Sequence, residues 1–295
     1  MTLAFLISAG AMRAASLLAA QEGREMLAKH RQSMILQDVR RAGSARVSDL
    51  TQRLGVSDMT VRRDLEVLAR AGLIEKVHGG AVVPGVPSSH EPGFDAKSGL
   101  ERSEKEAIAR AAAAQVTPGT AIALSAGTTT FELARHLRKI PRLTVVTNSV
   151  RAANLMEGAR PPGSGSTRFA VILTGGVRTP SDALVGPVAD LVIRSLHFDL
   201  LFLGCHGIDP AAGLTTPNLA ESETNRAFVR SARRVTVIAD HTKWGVVGLS
   251  SFADLEDVDT LITDGQLPAE AQSLLADRVG ELVIADGRSG RVARA

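Results

Sequence analysis

The chain has 295 residues, 44% hydrophobic and 22% charged, the balance of a folded globular protein long enough for two domains and not that of a disordered polyelectrolyte. Aromatic residues make up only 3% with no tyrosine, which argues against a stacking platform for single-stranded nucleic acid, and the lone Cys205 excludes an intrachain disulfide or a zinc site built from several thiolates. The net charge of +3 is unevenly spread: residues 26–83 carry ten Lys or Arg against six acids, residues 84–295 carry 22 against 23, so the positive charge sits in the smaller, front segment, as a polyanion partner would require.

Residues 3–20 are apolar, but Arg13 interrupts them and no basic residue precedes the run, which suits neither a signal peptide nor a membrane span. Residues 1–25 are therefore taken as an extension ahead of the first recognisable domain, and a reducing cytoplasm is the expected setting. Ile35, Leu36 and Val39 recur at helical spacing and predict a first helix from about His30 to Arg41. Val47, Leu50 and Leu54 mark a second, Gly55 is suited to end it in the left-handed conformation, and Ser57 is suited to cap a third. On that third helix Val61, Leu65 and Leu68 share one face, which turns Met59, Arg63, Glu66 and Arg70 outward with Arg62 on the flank. The amino end of the outer face, with Met59, Arg62 and Arg63, is what a recognition helix presents to base edges, and Ser57 and Thr60 suit phosphate oxygens. Leu73 to Val83 reads as two short strands around Gly79-Gly80, a wing with Lys76 and His78 at its tip. An Arg pair alone is usually a solvated helix face; here it follows a two-helix turn and precedes a hairpin. Residues 26–83 are read as a winged helix-turn-helix for double-stranded DNA.

Residues 84–100, with three prolines, read as a linker, and Ser103 to Val116 as an alanine-rich helix opening a second domain at residues 101–295. Seven strand-like runs then alternate with helical ones: Ala121–Leu124, Leu143–Thr147, Phe169–Leu173, Leu200–Leu203, Val235–Ala239, Thr260–Thr263 and Leu282–Ala285. This is the pattern of an α/β fold with a mostly parallel sheet, whose ligand crevice lies at the carboxyl ends of its strands. There stand Ser125, Gly127, Thr128, Thr129 and Thr130, a glycine turn with hydroxyls opening a helix and suited to phosphate. Asn148, the pair Gly175 and Gly176, and Asp240 with Lys243 follow other strands; Glu221 begins a helix after Asn218, placed either to meet sugar hydroxyls or to favour the helix dipole.

The run Val56 to Leu65 (VSDMTVRRDL), with Gly72-Leu73 and Val77-His78-Gly79-Gly80-Ala81, resembles the DeoR family of bacterial regulators, and the later order Gly127-Thr128-Thr129, Thr147-Asn148, Gly175-Gly176, Gly186, Gly207-Ile208-Asp209 and Asp240 with Lys243 is similar to that family's sensor domain. The resemblance implies a sensor with the fold of ribose-5-phosphate isomerase, glucosamine-6-phosphate deaminase and CoA transferases, and a small phosphorylated sugar as effector. It implies a repressor of a carbohydrate-metabolism operon, without cofactor or metal, acting on operator DNA as a homodimer or homotetramer. Two departures stand out: Ser125, where the family usually has an acidic residue, and the Pro/Gly/Ser-rich insert Gly158 to Thr167, expected as a surface loop. The rival readings are a working sugar-phosphate isomerase or deaminase, and a DNA-binding protein whose rear domain serves only for oligomerisation. Cys205-His206 is a poor catalytic pair if it lies on a strand, where neighbours face opposite ways, and no two of Asp182, Asp209, Glu221, Asp240 and His241 are brought together by the sequence alone.

Overall fold

The computed structural model describes residues 27–39, 44–77, 80–82, 91, 93–158, 169–285 and 292–294. Residues 1–26, His78, Gly79, residues 83–90 and the insert at 159–168 lie outside the described residues. The chain divides after Val86 into two compact units.

In the first unit helix α1 covers residues 27–39, ahead of strand β1 (Ser44–Arg46), helices α2 (Val47–Leu54) and α3 (Asp58–Arg70), and strands β2 (Glu75–Val77) and β3 (Gly80–Val82). The apolar positions expected from helical spacing close one core: Ile35, Val39, Val47, Leu50, Val61, Leu65 and Leu68, joined by Ile74 and Ala81. Gly55, at φ 64°, ends α2 with its N–H donating to the Thr51 carbonyl, and the Ser57 hydroxyl accepts from the Thr60 N–H at 3.3 Å to cap α3. The two strands expected around the Gly-Gly turn pair antiparallel, and β1, a strand the sequence did not announce, adds to β3 in the order β1-β3-β2. A Cβ at Gly80 would lie 2.3 Å from the Ala45 carbonyl oxygen, so this approach of β3 to β1 admits only glycine. Lys76 sits within β2, opposite Ala81, and not at the hairpin tip as expected.

Asp64 is a further feature the apolar period does not reveal. It is buried on the inner face of α3, where it accepts hydrogen bonds from Arg31 Nε at 2.5 Å and Gln32 Nε2 at 2.8 Å. This pair of bonds to a shielded carboxylate fixes the rotation of α3 against α1, and so determines which residues α3 exposes.

The second unit carries an eight-stranded sheet. In chain order its elements are α4 (Phe94–Ser98), α5 (Arg102–Ala113), β4 (Ala121–Leu124), α6 (Thr128–Leu137), β5 (Leu143–Thr147), α7 (Val150–Glu157), β6 (Phe169–Leu173), the β7–β8 hairpin (Val177–Arg178, Leu184–Val185) and α8 (Pro187–Arg194). Then come β9 (Leu200–Leu203), β10 (Gly207–Asp209), β11 (Gly213–Thr216), α9 (Leu219–Ser231), β12 (Val235–Ile238), β13 (Ser250–Ala253), β14 (Thr260–Asp264), α10 (Ala269–Arg278), β15 (Leu282–Ala285) and β16 (Val292–Arg294). The order is β16-β15-β14-β12-β9-β4-β5-β6, all parallel except β16. All seven runs read as strands form this sheet. Side-chain alternation divides it into two cores: Leu200 and Phe202 of β9 face α5, α6 and α7, while Leu201 and Leu203 face α8, α9 and α10. Gly175 and Gly176, at φ 72° and 117°, turn β6 into the β7–β8 hairpin, and β10, β11 and β13 form a separate antiparallel sheet that the sequence did not reveal.

The linker reading of residues 84–100 fails for the part that is described. Phe94 is buried and edge-on to Phe131, 5.5 Å between ring centroids, with the Arg151 guanidinium 4.3 Å from its own centroid. A buried aromatic ring holds the segment from Glu91 to Gly99 on the second unit, despite its proline and glycine content.

Replacing Asp64 with Ala removes the acceptor of two bonds and leaves Arg31 without its partner. The first unit should lose about 1–3 kcal/mol of stability, measured as an earlier denaturant transition of the front unit with that of the rear unit unchanged.

Candidate functional site

In the second unit the chain runs from β4 outward to β5 and β6, then crosses back to β9 and continues through β12 in the opposite direction. Strand order therefore reverses between β4 and β9, and the loops beyond their carboxyl ends diverge to leave a crevice. A cleft of about 640 Å³, counted out to its open mouth, lies there. It is lined by Ala126 to Thr130 after β4, Gly204, Cys205 and His206 after β9, Ile238, Ala239 and Lys243 after β12, Thr216, Pro217 and Glu221 between β11 and α9, and Glu91, Lys97 and Ser181.

Helix α6 begins at this cleft with no side-chain cap, after Gly127 at φ 151°. Its first-turn N–H groups have no intrahelical acceptor, so they present donors and the positive end of the helix dipole. Thr130 is not free to add its hydroxyl, which donates to the Gly127 carbonyl at 3.0 Å. The hydroxyls of Thr128 and Thr129 have no hydrogen-bond partner among the described residues. Lys243 stands in the three-residue turn His241–Lys243, and its ammonium likewise has no hydrogen-bond or ion-pair partner among the described residues. Donors from a helix start, two hydroxyls and a lysine in one cleft can bind an anion with several oxygens.

Of the residues expected to meet an effector, Gly127, Thr128, Thr129, Thr130, Glu221 and Lys243 line the cleft. The others support it from behind or lie elsewhere. Ser125 is 2% exposed and its hydroxyl accepts the Gly204 N–H at 3.1 Å, tying β4 to the loop after β9. Asn148 is also buried: its Oδ1 accepts the Ala126 N–H at 2.7 Å and its Nδ2 donates to the Leu184 carbonyl at 3.1 Å. Gly175 and Gly176 pack against Val188 and Val185, since a Cβ on Gly176 would fall 2.6 Å from the Val185 carbonyl oxygen. Asp240, 1% exposed, caps the turn by accepting from the Thr242 N–H at 3.1 Å, while its Oδ2 has no partner. These are corrections of one kind: a polar residue after a strand end can serve the backbone of a neighbouring loop and never reach the crevice.

The cleft also gathers residues that the sequence did not single out, Glu91 and Lys97 above all. Glu91 Oε1 accepts the Ser181 N–H at 3.0 Å and Oε2 accepts Asn218 Nδ2 at 2.8 Å. Burial would raise this carboxyl, yet those bonds hold it below the ordinary glutamate range. Burial pushes the Glu221 carboxyl up to about 7, reinforced by the charge of Glu91. Burial lowers Lys97, with the charge of Lys243 acting the same way and Glu221 and Glu91 opposing it. Asp240 stays below the ordinary aspartate range despite its burial, held there by Lys243 and Thr242.

Cys205 and His206 stand in the loop after β9, not on the strand, and both line the cleft, so strand alternation does not separate them. Burial pushes the thiol up to about 12, which leaves it protonated and a poor nucleophile. Asp182 accepts from Arg151 and Arg178, Asp209 caps the Ala211 and Ala212 N–H groups, and His241 Nδ1 lies 3.0 Å from Asp264, so these candidate acids and bases all serve as structural anchors.

On the first unit the outer face of α3 is exposed as expected, with Met59 at 77%. Arg62 pairs with Asp58 at 2.5 Å and Lys76 with Glu66 at 3.1 Å, both exposed, whereas Arg63 has no hydrogen-bond or ion-pair partner among the described residues. The hydroxyls of Ser57 and Thr60 bond each other at 2.9 Å.

The DeoR-like helix-turn-helix domain matches residues 31–85 and the DeoR C terminal sensor domain matches residues 100–265. An HTH-type transcriptional regulator GlpR from Haloferax volcanii is 39% identical over 84% of this chain and 94% of its own length. The chain belongs to the DeoR family. It is accordingly a DNA-binding transcriptional regulator and not an enzyme, and its two units are the DeoR reader of DNA and the DeoR sensor. A putative aga operon transcriptional repressor of Escherichia coli is 34% identical over 82% of this chain and 88% of that one, and a glycerol-3-phosphate regulon repressor of the same species is 31% identical over 84% and 95%. Among solved structures, ribose 5-phosphate isomerase A from Methanocaldococcus jannaschii aligns at 10% identity over 65% of this chain and 98% of that one, with a TM-score of 0.37. Among the described residues no helix is long and apolar enough to cross a membrane.

The Glu221 carboxyl takes its proton at about 7 in the folded chain against 4.5 when unperturbed. The folded state holds the extra proton between those values, so this group makes stability fall as pH rises through that window. Glu221→Gln should therefore unfold later than wild type at about pH 8, by on the order of 1–3 kcal/mol. The gain should vanish towards pH 4.5, as followed by thermal melts across the range.

Proposed function

We propose that this DeoR regulator is a repressor of a carbohydrate-metabolism operon whose effector is a small phosphorylated sugar bound in the cleft at the β4–β9 switch. The observation that carries the reading is the uncapped start of α6, with its free N–H groups and the Thr128 and Thr129 hydroxyls, in the same cleft as the unpaired Lys243. Such a donor set suits a phosphate. The remaining wall supplies carboxyl and hydroxyl groups, Glu221 and Thr216, suited to sugar hydroxyls, and the cleft volume suits a ligand of a few to a dozen heavy atoms. The relatives named for the aga operon and the glycerol-3-phosphate regulon support a carbohydrate-related effector.

The DNA-reading surface is the outer face of α3, with Met59, Arg62 and Arg63 towards base edges, and Ser57, Thr60, Lys76 and His78 towards phosphates. Arg63 is available as it stands. Arg62 exchanges Asp58 for DNA, an exposed pair that water already screens. Pairing of two or more copies through the sensor unit would present two such helices to repeated half-sites, since one small winged module alone binds modestly. An effector then acts by binding the DNA-bound and free arrangements with different affinity.

Two measurements test this. With Arg62 and Arg63 both replaced by Ala, operator affinity should fall and the slope of log K against log salt should lessen by about 0.9 for each phosphate contact removed; unchanged binding would rule out α3 as the reader. With Thr128 and Thr129 replaced by Val, stabilisation by a sugar phosphate, about 2.7 kcal/mol for wild type at a hundredfold excess over Kd, should largely disappear while DNA affinity persists.

A further inference from the structure

The cleft holds a second unpaired lysine, and its position in the chain sets it apart. Lys97 lies on the segment formed by Glu91 and residues 93–99, which comes soon after the end of the DNA-reading unit at Val86 and folds across the cleft wall. Four contacts hold this strap. Glu91 bridges the Ser181 N–H and Asn218 Nδ2; Phe94 packs edge-on to Phe131; Arg151 lies over Phe94 and pairs with Asp95 at 3.1 Å; and the buried Lys105 donates to the carbonyls of Lys97 and Leu100. Each contact ends on an element that also lines the cleft or lies next to one that does. Phe131 follows Thr130 in the first turn of α6, and Asn218 is the cap of α9, its Oδ1 accepting the N–H groups of Ala220 and Glu221.

The Lys97 ammonium itself has no hydrogen-bond or ion-pair partner among the described residues, although burial and the like charge of Lys243 both disfavour it. The titratable groups lining the cleft with it are Glu91, Glu221, Lys243, Cys205 and His206. Glu91 has both oxygens committed to Ser181 and Asn218, and Glu221 accepts from Thr216. Two desolvated ammonium groups in one cleft, neither compensated at contact distance, form a site for an anion with more than one charged oxygen.

We propose that Lys97 is a second cationic ligand of the effector's phosphate, and that effector binding through Lys97 fastens the strap to the sensor unit. The proposal rests on the reading of the cleft as a phosphate site. An anion at the start of α6 bonded to Lys97 closes the strap against α6 and α9, and the chain leading to the DNA-reading unit is anchored more firmly in the bound state than in the free one. Occupancy of the cleft thus gains a covalent connection to the reader of DNA, because the element that senses the ligand is the element that leads to it. A ligand that bonds Lys97 favours the fastened strap by differential affinity, which is the condition for any shift between arrangements.

Hydrogen exchange on the full chain, with inorganic phosphate and a set of pentose and hexose phosphates as probes, tests this. Wild type should gain protection on binding both in residues 93–100 and in the first turns of α6. Lys97→Gln should bind the probe about tenfold more weakly and lose the gain in residues 93–100 while keeping it in α6; Lys97→Arg should restore both. Protection of α6 with none in residues 93–100 in wild type overturns the proposal and leaves the phosphate reading standing. A Lys97→Gln protein with wild-type affinity and wild-type strap protection overturns it too. Absence of protection in both segments with every probe overturns the phosphate reading and this proposal together.

Discussion

Strand order reverses between β4 and β9, and this topological break governs the sensor unit. Because β5 and β9 leave β4 on opposite sides, no connection crosses the carboxyl end of β4, and the start of α6 is left facing open space. Elsewhere in the unit, helix starts are closed by their own chain: Ser149 caps α7 and Asn218 caps α9. Only external donors and acceptors can satisfy the first turn of α6. The buried polar residues around it, Ser125, Thr147 and Asn148, hold the loops apart by bonding backbone groups, so the opening does not collapse.

Charge within the cleft follows from that geometry. Lysines from two distant parts of the chain meet where a helix dipole is already positive, an arrangement unfavourable in the free protein unless acids stand near. Glu221, Glu91 and Asp240 are those acids, and each is perturbed by the same burial. The buried Oδ2 of Asp240, without a partner, lies behind Lys243 and keeps its positive charge favourable.

The DNA-reading unit works by the opposite principle, exposure. A shielded carboxylate, Asp64, sets the rotation of α3, and the face so presented carries arginines paired weakly or not at all. Surface pairs such as Arg62 with Asp58 and Lys76 with Glu66 are cheaply exchanged for phosphates, which suits reversible binding.

Much of this was legible in the sequence. Period fixes faces, so the core of the winged helix-turn-helix, the seven strands of the large sheet and the outward face of α3 could be read from spacing, and Gly127 to Thr130 could be placed at a helix start by the turn that precedes them. Length and composition alone misled at the presumed linker, because Phe94 and Lys97 look unremarkable among prolines and glycines until Phe131 and the cleft are present to receive them. The same reason explains Ser125, Asn148, Gly175, Gly176 and Asp240: the sequence places a polar or small residue at a strand end, but whether its atoms reach the crevice or a neighbouring backbone depends on which loops lie beside it. Local periodicity is a property of consecutive residues and survives in one dimension. The partners of a buried polar atom come from segments tens of residues away, and only the packed sheet decides them.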